Sequence, residues 1–248
     1  MSDRSFDHDI RYYFDTAAFL VKSAEAIDRE LAEKTGKNFN IFDALELSYE
    51  NHISRILRNL LDPKGSHGQG TRFLEAFLEQ CKEQAPAIRG WAGDLSDVSV
   101  IPEFRTLAER RIDLVVKLPP DRYIGIENKP FASEGSEQLD AYAEHLEKES
   151  RSVREAMGGG TGINFYLIYL CGHAGLPSSL KRYAWLRDEH HFVDMRYNRR
   201  DDAPSLKSWA NRCAQIAEAD KLRIFMRDFS HWLAAKFNEF SEGDCANV

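Results

Sequence analysis

The 248-residue sequence predicts an α/β fold, in which a central mixed β-sheet is flanked by helices and further helices lie at both ends of the chain. Helical apolar periodicity dominates the N-terminal part, short alternating segments follow it, and a long polar helix then leads into a continuous apolar run. No internal repeat or low-complexity linker separates these parts. We therefore expect a single domain over residues 1–240 and a flexible tail over residues 241–248.

Helices are predicted near both ends of the chain. Apolar residues recur at helical spacing from Phe14 to Lys34, where the glycine of KTGKN ends the pattern. A second helix is predicted from Phe42 to Leu61, and the glycine-rich loop DPKGSHGQG separates it from a third, TRFLEAFLEQCKEQ. Two further helices are predicted from Ser205 to Ala219 and from Leu222 to Phe240.

Strands are predicted between these helical regions. The segments DVSVIPEFRT, RRIDLVVKL and RYIGIENK are short and alternating or β-branched, which predicts an antiparallel meander of three strands. The helix EGSEQLDAYAEHLEKESRSVREAM then leads, through a flexible GGGTG connection, to INFYLIYLCG, whose continuous apolar character predicts a strand buried on both faces. KRYAWLR and HFVDMRY are also predicted to be strands.

Composition and charge narrow the functional classes. The chain has 40 acidic against 33 basic residues and a net charge of −7, so a nucleic-acid partner would need a local basic patch. The four cysteines lie far apart, without a CxxC pair or zinc-site spacing, which predicts a reducing, cytoplasmic setting. No apolar run reaches the ~18 residues that span a bilayer, and the N-terminus lacks the apolar core of a signal peptide, so we expect no membrane partner.

A predicted hairpin brings two acidic residues together. The loop PPD joins RRIDLVVKL to RYIGIENK, and if it consists of those three residues, Asp113 faces Glu127 with Cβ atoms ~4.5–5.5 Å apart. Alternation then puts Asp113, Glu127 and Lys129 on one face of the sheet. The opposite face would carry the apolar residues Ile112, Leu114, Val116, Ile124 and Ile126. A two-residue slip in register would set Asp113 opposite Lys129 instead.

Two opposed carboxylates destabilise a sheet unless a positive charge lies beside them. Lys129 is one candidate for that charge, and a divalent metal ion is the other, because Mg²⁺ is usually held by one or two protein acids together with substrate phosphate. Lys129 could also hold or deprotonate an attacking water, or stabilise phosphate charge. The alternative is an ordinary hairpin whose polar face is solvated.

Two predicted helices add polar residues that bear on this choice. At about 100° per residue, Glu50 lies on the core-facing stripe of the second helix. Either it reaches a cation or a hydrogen-bond donor, or it lies at the exposed end of that stripe, where a helix N-terminus tolerates an acid. Gln138 lies early on the helix after the Glu127-x-Lys129 strand, with Tyr142 one turn on and facing the same way. A glutamine there could orient a water molecule or bind phosphate.

These elements, in this order, resemble the PD-(D/E)XK nuclease superfamily. The matching segments are ENHISRILRNLLDPKGSHGQG with Glu50, RRIDLVV with Asp113, IGIENKP with Glu127 and Lys129, and QLDAY with Gln138 and Tyr142. The LLDP…HG loop, with PEFRT and RIDL ahead of IENKP, looks like a bacterial branch of that superfamily. The resemblance extends from about Phe39 to Leu146, and Ile112 stands where the superfamily usually has a proline.

The resemblance implies a restriction-endonuclease-like core and hydrolysis of phosphodiester bonds in nucleic acid, DNA in preference to RNA, with Mg²⁺ or Mn²⁺ as cofactor. A setting in defence or mobile-element biology is the accompanying expectation. By position it implies that the metal ligands are Asp113, Glu127, Glu50 and the backbone carbonyl of Asn128, with Lys129 acting on the water and Gln138 supporting the site. The rival function is a catalytically silent protein of this fold that binds nucleic acid or a protein partner.

Three further residues and one segment each have two interpretations. Glu103 is either a further acid near the metal or a salt-bridge partner of Arg111, which itself would contact phosphate or pair with an acid. His67 either fixes the glycine-rich loop by hydrogen bonds or touches substrate. KRYAWLRDEHHFVDMRYNRR mixes cations with aromatic rings, which suits either a nucleic-acid groove or an ordinary strand pair. The weak overall charge favours an oligomer or an accessory protein as additional support for substrate binding.

Overall fold

The protein is described by a computed structural model that covers residues 3–237 apart from 37, 48, 94, 96, 107, 132–134, 136, 159–161, 173–176, 178 and 201–202. The chain divides into two compact units, residues 1–44 and residues 45–248. The first unit contains α1 (Asp3–Thr35) and α2 (Ile41–Ala44). A single domain over residues 1–240 stays a prediction, and the predicted tail lies outside the described residues.

The second unit contains six α-helices and one 3₁₀ helix within its described residues. They are α3 (Glu50–Leu61), α4 (Arg72–Cys81), the 3₁₀ helix Pro86–Gly93, α5 (Gln138–Ala156), α6 (Trp185–Asp188), α7 (Leu206–Ile216) and α8 (Asp220–Lys236). The prediction of one helix from Phe42 to Leu61 is wrong, because the chain leaves the helical conformation between α2 and α3. Glu46 there has a φ of 46°, in the left-handed region that does not continue a right-handed helix.

Five strands form one sheet in the described part of the chain, in the order β1-β2-β3-β4-β5. They are β1 (Ser99–Arg105), β2 (Arg111–Leu118), β3 (Arg122–Lys129), β4 (Phe165–Cys171) and β5 (Phe192–Arg196). The first three strands are antiparallel, whereas β4 pairs in parallel with β3 and β5 in parallel with β4. This mixed sheet with flanking helices confirms the predicted fold class.

The hairpin register is the one that the short loop predicts. Val115 pairs with Gly125 and Lys117 pairs with Tyr123, which excludes the two-residue slip. The paired residues end at Leu114 and Ile126, one position before the two acids. The antiparallel ladder therefore stops where the candidate site begins.

Strand β4 is the most buried strand of the sheet. Each residue from Phe165 to Cys171 is at most 1% exposed. The strand lies between β3 and β5, and α5 packs against β3 and β4 while α3 packs against β1, β2 and β3. This central position explains why INFYLIYLCG is a continuous apolar run rather than an alternating one.

The prediction of a strand at KRYAWLR is wrong. The segment forms a turn followed by the short helix α6. The buried carboxylate of Asp140 accepts hydrogen bonds from the backbone amides of Lys181, Arg182 and Tyr183, at 3.0 to 3.1 Å. Those amides are the donors that a strand would need for its ladder, and the carboxylate holds them in a turn instead.

Alternation along β2 breaks beside the acid. Ile112 and Val115 both belong to the core cluster that includes Leu146 of α5, although strict alternation would put them on opposite faces. The predicted grouping of Ile112 with Leu114 and Val116 is therefore wrong. The break falls at Asp113, and such irregularities re-aim side chains at the end of a strand pair.

Candidate metal centre

Three carboxylates converge at the carboxyl end of β3. Glu50 is the first residue of α3, Asp113 lies on β2 and Glu127 lies on β3. One oxygen from each lies within 4.8 Å of the other two. Three separate elements thus supply acids to one small volume, although like charges repel one another. An arrangement of this kind needs a cation or bound protons.

Lys129 supplies one cation. Its Nζ lies 2.6 Å from Glu127 Oε1 and 2.9 Å from Glu50 Oε1, and its side chain is only 11% exposed. Burial alone would lower the pKa of Lys129, but the charges and hydrogen bonds of Glu127 and Glu50 raise that pKa above its ordinary value. Lys129 is therefore protonated in this arrangement, and its ammonium pairs with both carboxylates.

The two sheet acids hold protons more tightly than ordinary carboxyls do. Burial raises the pKa of Asp113 to about 6, although the backbone amide of Asn128 opposes the shift. Burial, and then the charge of Asp113, raises the pKa of Glu127 to about 8 despite the nearby ammonium of Lys129. The single ammonium of Lys129 therefore does not fully compensate the negative charge of the three carboxylates.

Gln138 and Tyr142 hold Glu127 from the side of α5. Gln138 Nε2 donates to Glu127 Oε1 at 2.5 Å and to the Tyr142 hydroxyl at 2.6 Å, while Gln138 Oε1 accepts from the amide of Gly135 at 2.8 Å. The Tyr142 hydroxyl donates in turn to the backbone carbonyl of Arg111 on β2. This chain of bonds connects α5 to both strands of the hairpin.

Asn128 connects the same hairpin to α3. Its backbone amide donates to Asp113 Oδ2 at 2.8 Å, and its side-chain amide donates to Ser54 Oγ at 2.9 Å. The Tyr197 hydroxyl donates to Asn128 Oδ1. Because adjacent strand residues point to opposite faces, Glu127 meets α5 and Asn128 meets α3. Asn128 is fully buried, so these partners satisfy an amide that would otherwise be costly to bury.

Sequence reasoning missed Ser54 and Tyr197. Ser54 lies four residues after Glu50 and therefore on the same face of α3, a spacing that could have indicated it. Tyr197 follows β5 and reaches Asn128 from 69 residues away in the sequence, and no local pattern indicates such a contact. The proposed role of the Asn128 backbone carbonyl as a metal ligand stays a prediction.

Three of the predicted candidates have other partners. Glu103 Oε2 pairs with Arg111 Nη1 at 2.9 Å, both side chains are more than half exposed, and Glu103 lies outside the three-carboxylate cluster. His67 is buried in its loop, where Nε2 lies 2.8 Å from the carbonyl of Asp62 and Nδ1 accepts from the amide of Gln69. These contacts fit the salt-bridge and loop-fixing interpretations.

The donor set fits a hard divalent cation. Carboxylate oxygens are the ligands that Mg²⁺ and Mn²⁺ prefer. Oε2 of Glu127 is buried and has no hydrogen-bond partner within the part of the chain that the structure describes. A buried acid oxygen without a donor is rare in proteins, and a bound ion would satisfy it.

A comparison with protein families supports this interpretation. A family model described as the PD-(D/E)XK nuclease superfamily matches residues 39–231. No curated protein and no solved structure matches the chain. No described helix is both long and apolar enough to cross a membrane. Because the family match covers most of the sequence and includes Glu50, Asp113, Glu127 and Lys129, the chain belongs to the PD-(D/E)XK nuclease superfamily.

Proposed function

We propose that this protein is a metal-dependent nuclease that hydrolyses phosphodiester bonds, with DNA as its substrate. The observation that carries the proposal is the convergence of three carboxylates within 4.8 Å, with the ammonium of Lys129 beside them. A domain whose only task was to bind would gain nothing from three clustered acids, of which Asp113 and Glu127 have raised pKa values. Superfamily membership supports phosphodiester hydrolysis as the chemistry that this cluster would serve.

Asp113, Glu127 and Glu50 would hold the metal ion, Mg²⁺ or Mn²⁺. Such an ion, when bound, polarises a phosphoryl oxygen and lowers the pKa of a coordinated water. The fit rests on the oxygen-only donor set and on the buried Oε2 of Glu127, which meets no donor among the described residues. The raised pKa values of Asp113 and Glu127 mean that binding the ion also expels protons from the cluster.

Lys129 would orient the attacking water and stabilise the phosphate. Its ammonium lies beside Glu127 and Glu50, so it would donate hydrogen bonds to a water or a phosphate oxygen bound next to these acids. An ammonium in a site that is largely shielded from solvent stabilises developing negative charge more strongly than it would in water. Gln138 holds Glu127 in position through the bond to Oε1.

Cleavage assays test the proposal directly. Supercoiled plasmid and end-labelled duplex DNA, single-stranded DNA and RNA would be incubated with the protein in Mg²⁺, in Mn²⁺ and in EDTA. We expect metal-dependent cutting of DNA, which Asp113→Asn abolishes and Glu103→Gln leaves intact, because Glu103 is a nearby acid outside the cluster. Absence of cutting by pure parental protein in either metal would overturn the proposal and favour the catalytically silent alternative.

A further inference from the structure

Helices α4, α7 and α8 line an open groove of about 920 Å³. None of the acids of the candidate metal centre lines it. We call it the arginine groove, because its walls carry Arg72, Arg212, Arg223 and Arg227. Two acids, Glu75 and Glu79, also line it. Four arginines against two acids give the lining a positive balance in a chain whose net charge is −7.

Other residues bind the acids of the groove. Glu79 Oε1 lies 2.5 Å from Lys82 Nζ, and its Oε2 lies 3.7 Å from Arg89 Nε. The hydroxyl of Thr71 donates to Glu75 Oε1 at 2.5 Å. Neither carboxylate therefore depends on the arginines of the groove for its partner.

The arginines divide into two pairs. Arg72 forms an ion pair with Glu218 at 2.5 Å, and Arg223 forms one with Asp220 at 2.7 Å. Arg212 donates only to the amide oxygen of Gln215, and neither Arg212 nor Arg227 meets a carboxylate among the described residues. Both of these side chains belong to exposed residues. Two guanidinium groups in the groove are thus available for an anion from outside.

The groove also offers neutral donors. Gln80, Asn211 and Gln215 contribute side-chain amides to its lining. Oε1 of Gln80 already accepts from Ser208 Oγ at 2.7 Å, which leaves the amide NH₂ as the group with hydrogen-bonding capacity. Guanidinium and amide donors together suit phosphate oxygens, since phosphate contacts in nucleic-acid complexes come largely from such groups.

Three cations of the segment that the sequence suggested for this role already have partners within the protein. Arg182 pairs with Glu144 at 2.9 Å, Arg187 stacks over the ring of Phe192, and Arg196 lies against Asp194 and the thiol of Cys171. Arg212 of α7 and Arg227 of α8 are therefore better placed than these three cations to form the local basic patch that an acidic nuclease needs.

We propose that the arginine groove binds the phosphate backbone of the nucleic-acid substrate, away from the reacting phosphodiester, through Arg212 and Arg227. The inference rests on the proposed function, because a nuclease of net negative charge needs a positive surface that holds its substrate. Binding here is independent of sequence and sensitive to salt, since it depends on phosphates alone.

The test is equilibrium binding without cleavage. Fluorescence anisotropy with a labelled DNA duplex would be measured in EDTA over a series of salt concentrations, for the parental protein and for Arg212→Ala/Arg227→Ala. The matched control is Lys148→Ala/Lys236→Ala, which removes two exposed cations that do not line the groove. Arg227→Lys tests whether charge alone suffices.

We expect the groove variant to bind roughly tenfold more weakly near physiological salt and to lower the slope of log K against log salt by about two. The control should change neither, and Arg227→Lys should retain most of the affinity. Equal weakening by both double variants, no change in the groove variant, or parental protein that binds no duplex in EDTA would each overturn the inference.

The cleavage assay in Mg²⁺ separates this inference from the proposed function. If the parental protein cuts DNA and the groove variant binds DNA with parental affinity, the role of the groove is refuted and the nuclease proposal stands. If the parental protein cuts nothing but the groove variant binds DNA more weakly, the nuclease proposal is refuted and the role of the groove stands. Polyglutamate binding that requires Arg212 and Arg227, together with DNA binding that does not, would assign the groove to an acidic protein partner instead.

Discussion

The ammonium of Lys129 lies 2.6 Å from Oε1 of Glu127, two residues earlier on the same strand. Because strand residues two apart share a face, the ExK spacing forces an acid and a base to the same side of the sheet. Glu50 accepts a second bond from the same ammonium at 2.9 Å. Lys129 is thus a counter-ion of the carboxylates that would hold the metal.

Replacing Lys129 should separate metal binding from cleavage. In Lys129→Met the hydrocarbon stem remains and the competing ammonium is lost, so the carboxylates should bind Mn²⁺ at least as tightly as before. Cleavage should fall by about 10² to 10³, because the donor that we propose to stabilise the transition state is gone. Calorimetric Mn²⁺ titration and single-turnover cleavage measure the two effects. Loss of Mn²⁺ binding in this variant would contradict the assignment.

Metal affinity should depend on Glu127 and not on Glu103. Glu103 lies on β1 and Glu127 on β3, the two strands that flank β2, but only Glu127 belongs to the three-carboxylate cluster. Glu127→Gln keeps the size of the side chain and removes one charged ligand, which should weaken Mn²⁺ binding by roughly tenfold or more. Glu103→Gln breaks an exposed ion pair with Arg111 and should leave Mn²⁺ affinity unchanged. Equal affinities for the two variants would exclude Glu127 as a ligand.

Stability of the metal-free protein should fall with rising pH. The pKa of Glu127 is raised from 4.5 to about 8, and that of Asp113 from 3.8 to about 6. A raised carboxyl pKa means that the folded state binds more protons, so its contribution is complete below the unfolded pKa and is lost through the folded pKa. The raised pKa of Lys129 affects the pH dependence of stability only above pH 10.5, the ordinary pKa of that group. Thermal unfolding in EDTA should therefore shift to lower temperature between pH 5 and about 8.

Two comparisons check the cause of this pH dependence. Glu127→Gln removes the group with the larger shift and should flatten the upper part of the profile. Saturating Mn²⁺ requires ionised ligands, so the increase in melting temperature that it produces should grow with pH. A parental profile in EDTA that rises from pH 5 to about 8 would show that the carboxyls are not held in their protonated form.

Most of the site could be predicted because short-range rules determine it. A three-residue loop sets the register of the hairpin, and the register brings Asp113 to Glu127. The 3.6-residue period sets Glu50 on the same stripe as the buried Ile53 and Leu57. Each of these inferences needs only a few consecutive residues, so the sequence contains what is required.

The contacts that escaped prediction join distant parts of the chain. Nothing within KRYAWLR shows that Asp140, some 40 residues earlier, will bind its amides and prevent a strand. The partnership of Asn128 with Tyr197 depends on how β5 follows β4 in a parallel sheet, where no tight turn fixes the register. The predicted helix from Phe42 to Leu61 failed for a different reason. Its apolar pattern continues past Glu46, but the backbone leaves the helical conformation there.

The Tyr197 hydroxyl should stabilise both the fold and the site. Tyr197→Phe removes the donor to Asn128 Oδ1 and leaves a buried amide oxygen unpaired, which should cost about 1–3 kcal/mol in the free energy of unfolding. Tyr183→Phe is the matched control, since its hydroxyl donates to Glu147 in a partly exposed position. Cleavage should slow in the first variant alone. Equal urea midpoints and equal cleavage rates for the two variants would show that the Tyr197 hydroxyl does not stabilise the site.

Gly172 should be irreplaceable at the junction of β3 and β4. Its amide donates to the carbonyl of Lys129 at 3.0 Å, and a Cβ added there would lie 2.1 Å from the backbone oxygen of Pro130. Because a backbone atom cannot swing aside, Gly172→Ala must push the two strand ends apart and displace Lys129 with them. We expect a loss of about 1–3 kcal/mol in unfolding free energy, measured in urea, and slower cleavage. Gly90→Ala, at a glycine with open space around it, should change neither. Equal urea midpoints for Gly172→Ala and the parental protein would mean that the strand ends are not packed this closely in solution.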